Sequence, residues 1–77
     1  MSFQYIVSKP DVLGGKPCIK GTRISVQLIL EWLANGSSTE EIIHEFPQLT
    51  RETIQESLLY ASELAKNEFL IDIPTGK

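Results

Sequence analysis

Few side chains in this sequence can do covalent or acid–base chemistry, and their spacing keeps them apart. Cys18 is the single cysteine and His44 the single histidine of the 77 residues. A thiol nucleophile needs a base within hydrogen-bond reach, and none flanks Cys18 in the run Pro17-Cys18-Ile19. Cys18 therefore reads as a small buried hydrophobe. His44 stands among Glu40, Glu41 and Glu45. A lone histidine with carboxylates on a short helix is a solvated face more often than a metal site, and zinc-type ligand spacings are absent. No serine or cysteine is placed for triad chemistry, and Asp11, the glutamates, His44 and Cys18 form no acid–base pair of recognised spacing. The expectation is a protein that is not an enzyme, with no metal and no cofactor.

The remaining chemistry is charge recognition. Through Arg23 the chain carries four cations (Lys9, Lys16, Lys20, Arg23) against the single anion Asp11. From Ile24 onward Arg51, Lys66 and Lys77 face nine acidic residues, and the whole chain has a net charge of -3. Lys16, Lys20 and Arg23 are thus candidates for contacting carboxylates on a partner, and Lys20 and Arg23 for contacting phosphates. The plain alternative is a solvated face. For Arg23 the structural alternative is an ion pair to a helix carboxylate such as Glu31.

These cations must be positioned by the stretch from 14 to 26, GGKPCIKGTRISV. Gly14, Gly15 and Gly21 allow positive φ, and Pro17 fixes its own φ. Such a run cannot be a long helix. It reads as an irregular arm, extended at 18–20, with Gly21 and Thr22 building a turn. Before it, residues 3–7 (FQYIV) favour a strand, with Phe3, Tyr5 and Val7 on one face and Gln4 and Ile6 on the other. Val12 and Leu13 fit one helical turn that Gly14 and Gly15 stop. A two-stranded pairing is marginal alone, so the arm must pack on helices or pair across a dimer.

Three helices follow. Ser25 is placed as an N-cap, and Val26, Ile29, Leu30 and Leu33 have the spacing of a buried helical face. Trp32 is large enough to anchor a partner, and helix packing is its commoner use. Gly36 ends this helix in a left-handed conformation. Ser38 and Glu41 have capping-box spacing, and Ile42, Ile43 and Phe46 are the packing residues of a short second helix that Pro47 stops. Thr50 caps the third helix, Leu49 and Ile54 have staple spacing, and the apolar stripe is read as Ile54, Leu58, Ala61, Leu64 and Ala65, with Leu59 beside it. The helix is expected to reach about Asn67. Residues 69–74, FLIDIP, are too apolar for an idle tail, which makes Phe69 and Ile71 candidate partner contacts.

The fold expected is all-α: a three-helix, helix-turn-helix bundle of homeodomain type with a short N-terminal β extension. Residues 1–25 form the arm and 26–77 the helical part, together one compact domain, as the length suggests. A chain this short buries a modest core, so a homodimer is expected. No apolar run approaches the roughly 20 residues that span a bilayer, and no signal-peptide pattern is present. The sequence-based expectation is a cytoplasmic protein with no membrane contact.

The string VLGGKPCIKGTRISV at 12–26, the helix to Gly36, Ser38-x-x-Glu41-Ile42, Phe46-Pro47-x-Leu49-Thr50, and Tyr60-Ala61 in the last helix resembles the bacterial domain-of-unknown-function family numbered 433, over nearly all of residues 6–66. Gly14, Gly15, Pro17, Ile19, Gly21, Thr22, Arg23 and Val26 match in the arm, and Gly36, Pro47, Leu49, Thr50 and Tyr60 in the helices. The resemblance implies a homeodomain-like domain with a β extension, similar to antitoxins encoded beside a PIN-like nuclease toxin. It transfers no catalytic residues. The function implied is binding and neutralising a nuclease toxin. The alternative is a DNA-binding regulator, its own operon included, with Arg51 and Gln55 reading from the third helix. Against DNA stand Glu52 and Glu56, whose i, i+4 spacing puts two carboxylates towards a phosphate-lined groove.

Overall fold

A computed structural model describes residues 3–66. The FLIDIP segment, with Phe69 and Ile71, lies outside the described residues. In chain order the elements are β1 (Ile6–Val7), a 3-10 turn at Leu13–Gly15, β2 (Cys18–Ile19), α1 (Val26–Ala34), α2 (Thr39–Glu45) and α3 (Arg51–Lys66). This is the expected all-α bundle of three helices with a two-stranded β extension.

The strands are antiparallel, with Ile6 opposite Ile19 and Val7 opposite Cys18. The first is shorter than the expected 3–7, and its facing differs. Phe3 meets Tyr60 of α3 edge to face at 5.4 Å, while Ile6 packs on the core. Phe3 and Ile6 therefore both turn inward, which period-2 alternation forbids. The bend at Gln4 and Tyr5 permits it. The glycine pair also behaves differently from the expectation. Gly14 and Gly15 lie inside the 3-10 turn, and the left-handed run already starts at Leu13, with φ 51°.

The arm folds back on itself before the first helix. Ile19 N–H donates to the Ile24 carbonyl at 2.9 Å, and Cys18 pairs with Ser25. Between them Thr22 N–H closes a turn on the Ile19 carbonyl at 3.0 Å, with Gly21 at φ 80° in the position that requires positive φ. The Thr22 hydroxyl donates to that same carbonyl and accepts from Ile24 N–H. Ile19 and Ile24 are thereby both delivered to the interior.

The helix signals are realised atom by atom. Ser25 Oγ accepts from Leu28 N–H at 3.0 Å. Gly36, at φ 95°, ends α1, with its own N–H on the Leu33 carbonyl and Ser37 N–H on the Trp32 carbonyl, the paired bonds of a Schellman motif. Ser38 and Glu41 exchange both bonds of the capping box. At α3 the Thr50 hydroxyl accepts from Thr53 N–H, and Thr53 returns a bond from its own hydroxyl to the Thr50 carbonyl.

The core joins all parts: Ile19, Ile24, Val26, Ile29, Ile42, Leu49 and Ile54 form one buried cluster. Trp32 stacks edge to face on Phe46 at 5.4 Å and packs on that cluster. The register of α3 is corrected here. Its buried residues are Thr53, Ile54 and Ser57, whereas Leu58, Leu59 and Leu64 are 49%, 40% and 51% exposed. The two polar residues tolerate burial because their hydroxyls bond carbonyls in the helix backbone, Ser57 to Thr53 at 2.9 Å. A hydrophobicity-only stripe therefore starts on the buried side at Ile54 and leaves it at Leu58 and Leu64. Ile42, wholly buried, is the most sensitive aliphatic position: Ile42→Ala is expected to lower unfolding free energy by about 2–5 kcal/mol in urea titration. For Gly36→Ala, no atom lies near the added carbon, so only backbone strain remains, a loss of about 1 kcal/mol.

Candidate partner interface

The exposed charges of the arm are carried on its turns. Lys9 follows β1, Lys16 follows the 3-10 turn, and Lys20 and Arg23 flank the Gly21 turn; all four are exposed. Among the described residues none of them forms an ion pair, and the pairs present are Arg51–Glu40 and Lys66–Glu63. The expected structural tie from Arg23 to Glu31 is not formed. Glu31 instead accepts from Gln27 Nε2, one helical turn away.

The cations do not converge as a trio. Arg23 shares a hollow of about 340 Å³ with Lys9, lined also by Val7, Val12, Cys18, Gly21 and Thr22. Lys16 instead borders a different groove, against α1 and α3. Lys9 is the residue that sequence reasoning left out of the site. The pairing of Val7 with Cys18 brings the segment after β1 beside the Gly21 turn, and that register is not written in the local sequence. The hollow presents two cations over an apolar floor, with a threonine at the rim. Such a surface can accept a carboxylate or phosphate oxygen, with the guanidinium offering paired donors.

The third helix offers less to an anion. The Arg51 guanidinium is bonded to the Glu40 carboxylate across α2 and α3. A backbone hydrogen bond first, and the bond and charge of Arg51 next, hold the Glu40 carboxyl below its ordinary value. Glu56 does not stand out beside Glu52 as the spacing suggested. It is half-buried and accepts from Tyr5 N–H at 3.0 and 3.3 Å, fastening the arm to α3. Gln55 is exposed and lines a small cleft with Thr39, Arg51, Ile54 and Leu58.

Among the described residues neither Cys18 nor His44 has a side-chain partner placed for catalysis. Cys18 is 1% exposed, and His44 borders an open hollow with Trp32, Ser37, Glu40, Glu41 and Glu45. Among the described residues no three His, Cys, Asp or Glu side chains are grouped to hold a metal, and no helix is long and apolar enough to cross a membrane.

The family described as "Protein of unknown function (DUF433)" matches residues 6–61. An uncharacterised protein, y4eO, of Sinorhizobium fredii (strain NBRC 101917 / NGR234) is 36% identical over 76 residues. That alignment takes in 95% of this chain and 34% of y4eO, so the chain spans about a third of that relative. No solved structure matches.

Two measurements check the geometry. Glu56→Gln removes the charge that strengthens the Tyr5 bond, so Tyr5 amide exchange should quicken while the α2 amides hold. A group with a lowered folded pKa contributes stability above its unfolded value and loses it as pH falls through the folded one. Arg51→Ala should therefore flatten the acid limb of a stability–pH curve slightly, the pair being exposed.

Proposed function

We propose that this chain, which belongs to the DUF433 family, is an interaction protein of the antitoxin kind that binds and neutralises a nuclease toxin. The observation that carries this reading is the arm: four exposed cations, without ion pairs among the described residues, on a chain whose helices are acidic. PIN-like nucleases work through clustered carboxylates around metal, so an acidic rim is the complementary surface. Charges so arranged steer encounter and fix the partner's orientation. Lys9 and Arg23 contact the partner's carboxylates in this reading, with Lys16 and Lys20 flanking. Trp32, half-buried on Phe46, is packing more than anchor.

The DNA-binding alternative has weaker support. Its reading helix would present Gln55 with an Arg51 already bound to Glu40. Glu52 remains exposed beside them, and a carboxylate there opposes phosphate approach. The arm cations are what remains to such a role.

Co-expression with any nuclease encoded beside it tests the reading. The two chains should purify as one complex that lacks nuclease activity. The pair Lys9→Glu and Arg23→Glu should weaken that complex by about 100-fold or more, as charge reversal in an interface does, with an unchanged melting temperature. Retained inhibition by the charge-reversed chain would remove the arm from the interface. In parallel, a gel shift with upstream DNA should show no complex at low salt; a shift with steep salt dependence would favour the regulator.

A further inference from the structure

A second concave surface shares no lining residue with the Lys9–Arg23 hollow. It is a groove of about 490 Å³ between the arm, α1 and α3. Leu30 and Ala34 line it from α1, one helical turn apart, and Tyr60 and Leu64 line it from α3 at the same spacing. Ala34 is exposed, and Leu64 is 51% exposed. Lys16 of the arm and Glu31 of α1 also border the groove, and both are exposed. An apolar centre with a charged rim is the usual layout of a protein contact surface.

The signs on the rim decide what the groove can take. Lys16 forms no ion pair among the described residues. Glu31 accepts from the neutral Gln27 amide, which leaves its charge uncompensated. The rim therefore offers one cation and one anion that do not pair with each other. A partner of a single sign would be drawn to one and repelled by the other. A two-fold contact instead lays a face on its own copy, so that residue i meets j and j meets i. A face of one sign cannot do this without setting like charges together. The Lys9–Arg23 hollow is cationic, and the hollow beside His44 carries Glu41 and Glu45, so each would repel its copy. Across the α1–α3 groove, Lys16 and Glu31 answer one another twice. Between them Ala34 is small, and a small side chain lets two helices approach closely. A chain this short also gains most from apolar area buried between copies.

We infer that the α1–α3 groove is a two-fold interface between two copies of this chain, with Leu30, Ala34, Tyr60 and Leu64 at its apolar centre and Lys16 of each copy against Glu31 of the other. Chain length alone suggests a homodimer; the groove supplies its face and its charge pairing. The inference does not rest on the nuclease reading. Lys9 and Arg23 do not line the groove, and the test uses this chain by itself.

Sedimentation equilibrium of the full chain tests it. The mass should approach twice the 8.6 kDa of one chain as concentration rises. A single-chain mass up to about 1 mM, the weak end of specific affinity, overturns the inference. Lys16→Glu and Glu31→Lys should each raise the dissociation constant about 10-fold or more, because each sets like charges together at both ends of the contact. Mixed one to one, the two variants should recover the dimer, since both rim pairs between the unlike chains are then of opposite sign. Single variants that dimerise as the unaltered chain does overturn the inference, and so does a mixture that stays as weak as its components. Ala34→Arg, at an exposed position, should abolish the dimer and leave the circular-dichroism melt unchanged; a dimer that persists overturns the inference. Should Ala34→Arg lose helical signal, the rim variants, both at exposed side chains, decide alone.

Discussion

Burial of the arm is what the rest of the molecule depends on. The buried hydrophobic residues among those described are Cys18, Ile19, Ile24, Val26, Ile29, Ile42, Leu49 and Ile54. Three of the eight come from the arm. A chain of this size has little apolar area to bury, and removing three of those side chains would leave the helices without a lid on one side. The arm is therefore part of the core first and a carrier of charge second. Its irregular path follows from that order. The Gly21 turn returns Ile24 to the interior beside Ile19, and the cations Lys20 and Arg23 are left outside because the turn residues between two buried isoleucines have nowhere else to go.

This division explains how a short acidic protein can present a basic face without losing stability. The helical acids are partly used within the fold. Glu56 holds Tyr5 N–H, Glu41 closes a capping box, and Glu40 pairs with Arg51. The arm lysines and Arg23 lack such internal uses among the described residues. The charge asymmetry along the sequence thereby becomes a spatial one, with cations on turns and acids on helices.

Much of this was legible in the sequence, because it is local. Ser25, Gly36, Ser38 with Glu41, and Thr50 each specify a helix end through a hydrogen bond within a few residues, and each end formed as read. The Leu49–Ile54 pair was legible for the same reason, and both are buried. What was not legible depends on contacts distant along the chain. The rotation of α3 was misjudged because Thr53 and Ser57 look polar but satisfy their hydroxyls on the helix backbone. The pairing of Arg51 with Glu40, eleven residues away, and of Glu56 with Tyr5 both reassign charges that spacing alone had left facing solvent. Lys9 entered the candidate interface only through strand register.

Ser57 carries one more consequence. It is wholly buried on the inward side of the longest helix, while the two leucines that follow it, Leu58 and Leu59, are exposed. A hydroxymethyl group is among the smallest side chains that can close its own polarity there. Position 57 thus acts as a spacer gauge for the bundle: glycine or alanine would fit within it, whereas valine or leucine would have to displace the side chains packed around it.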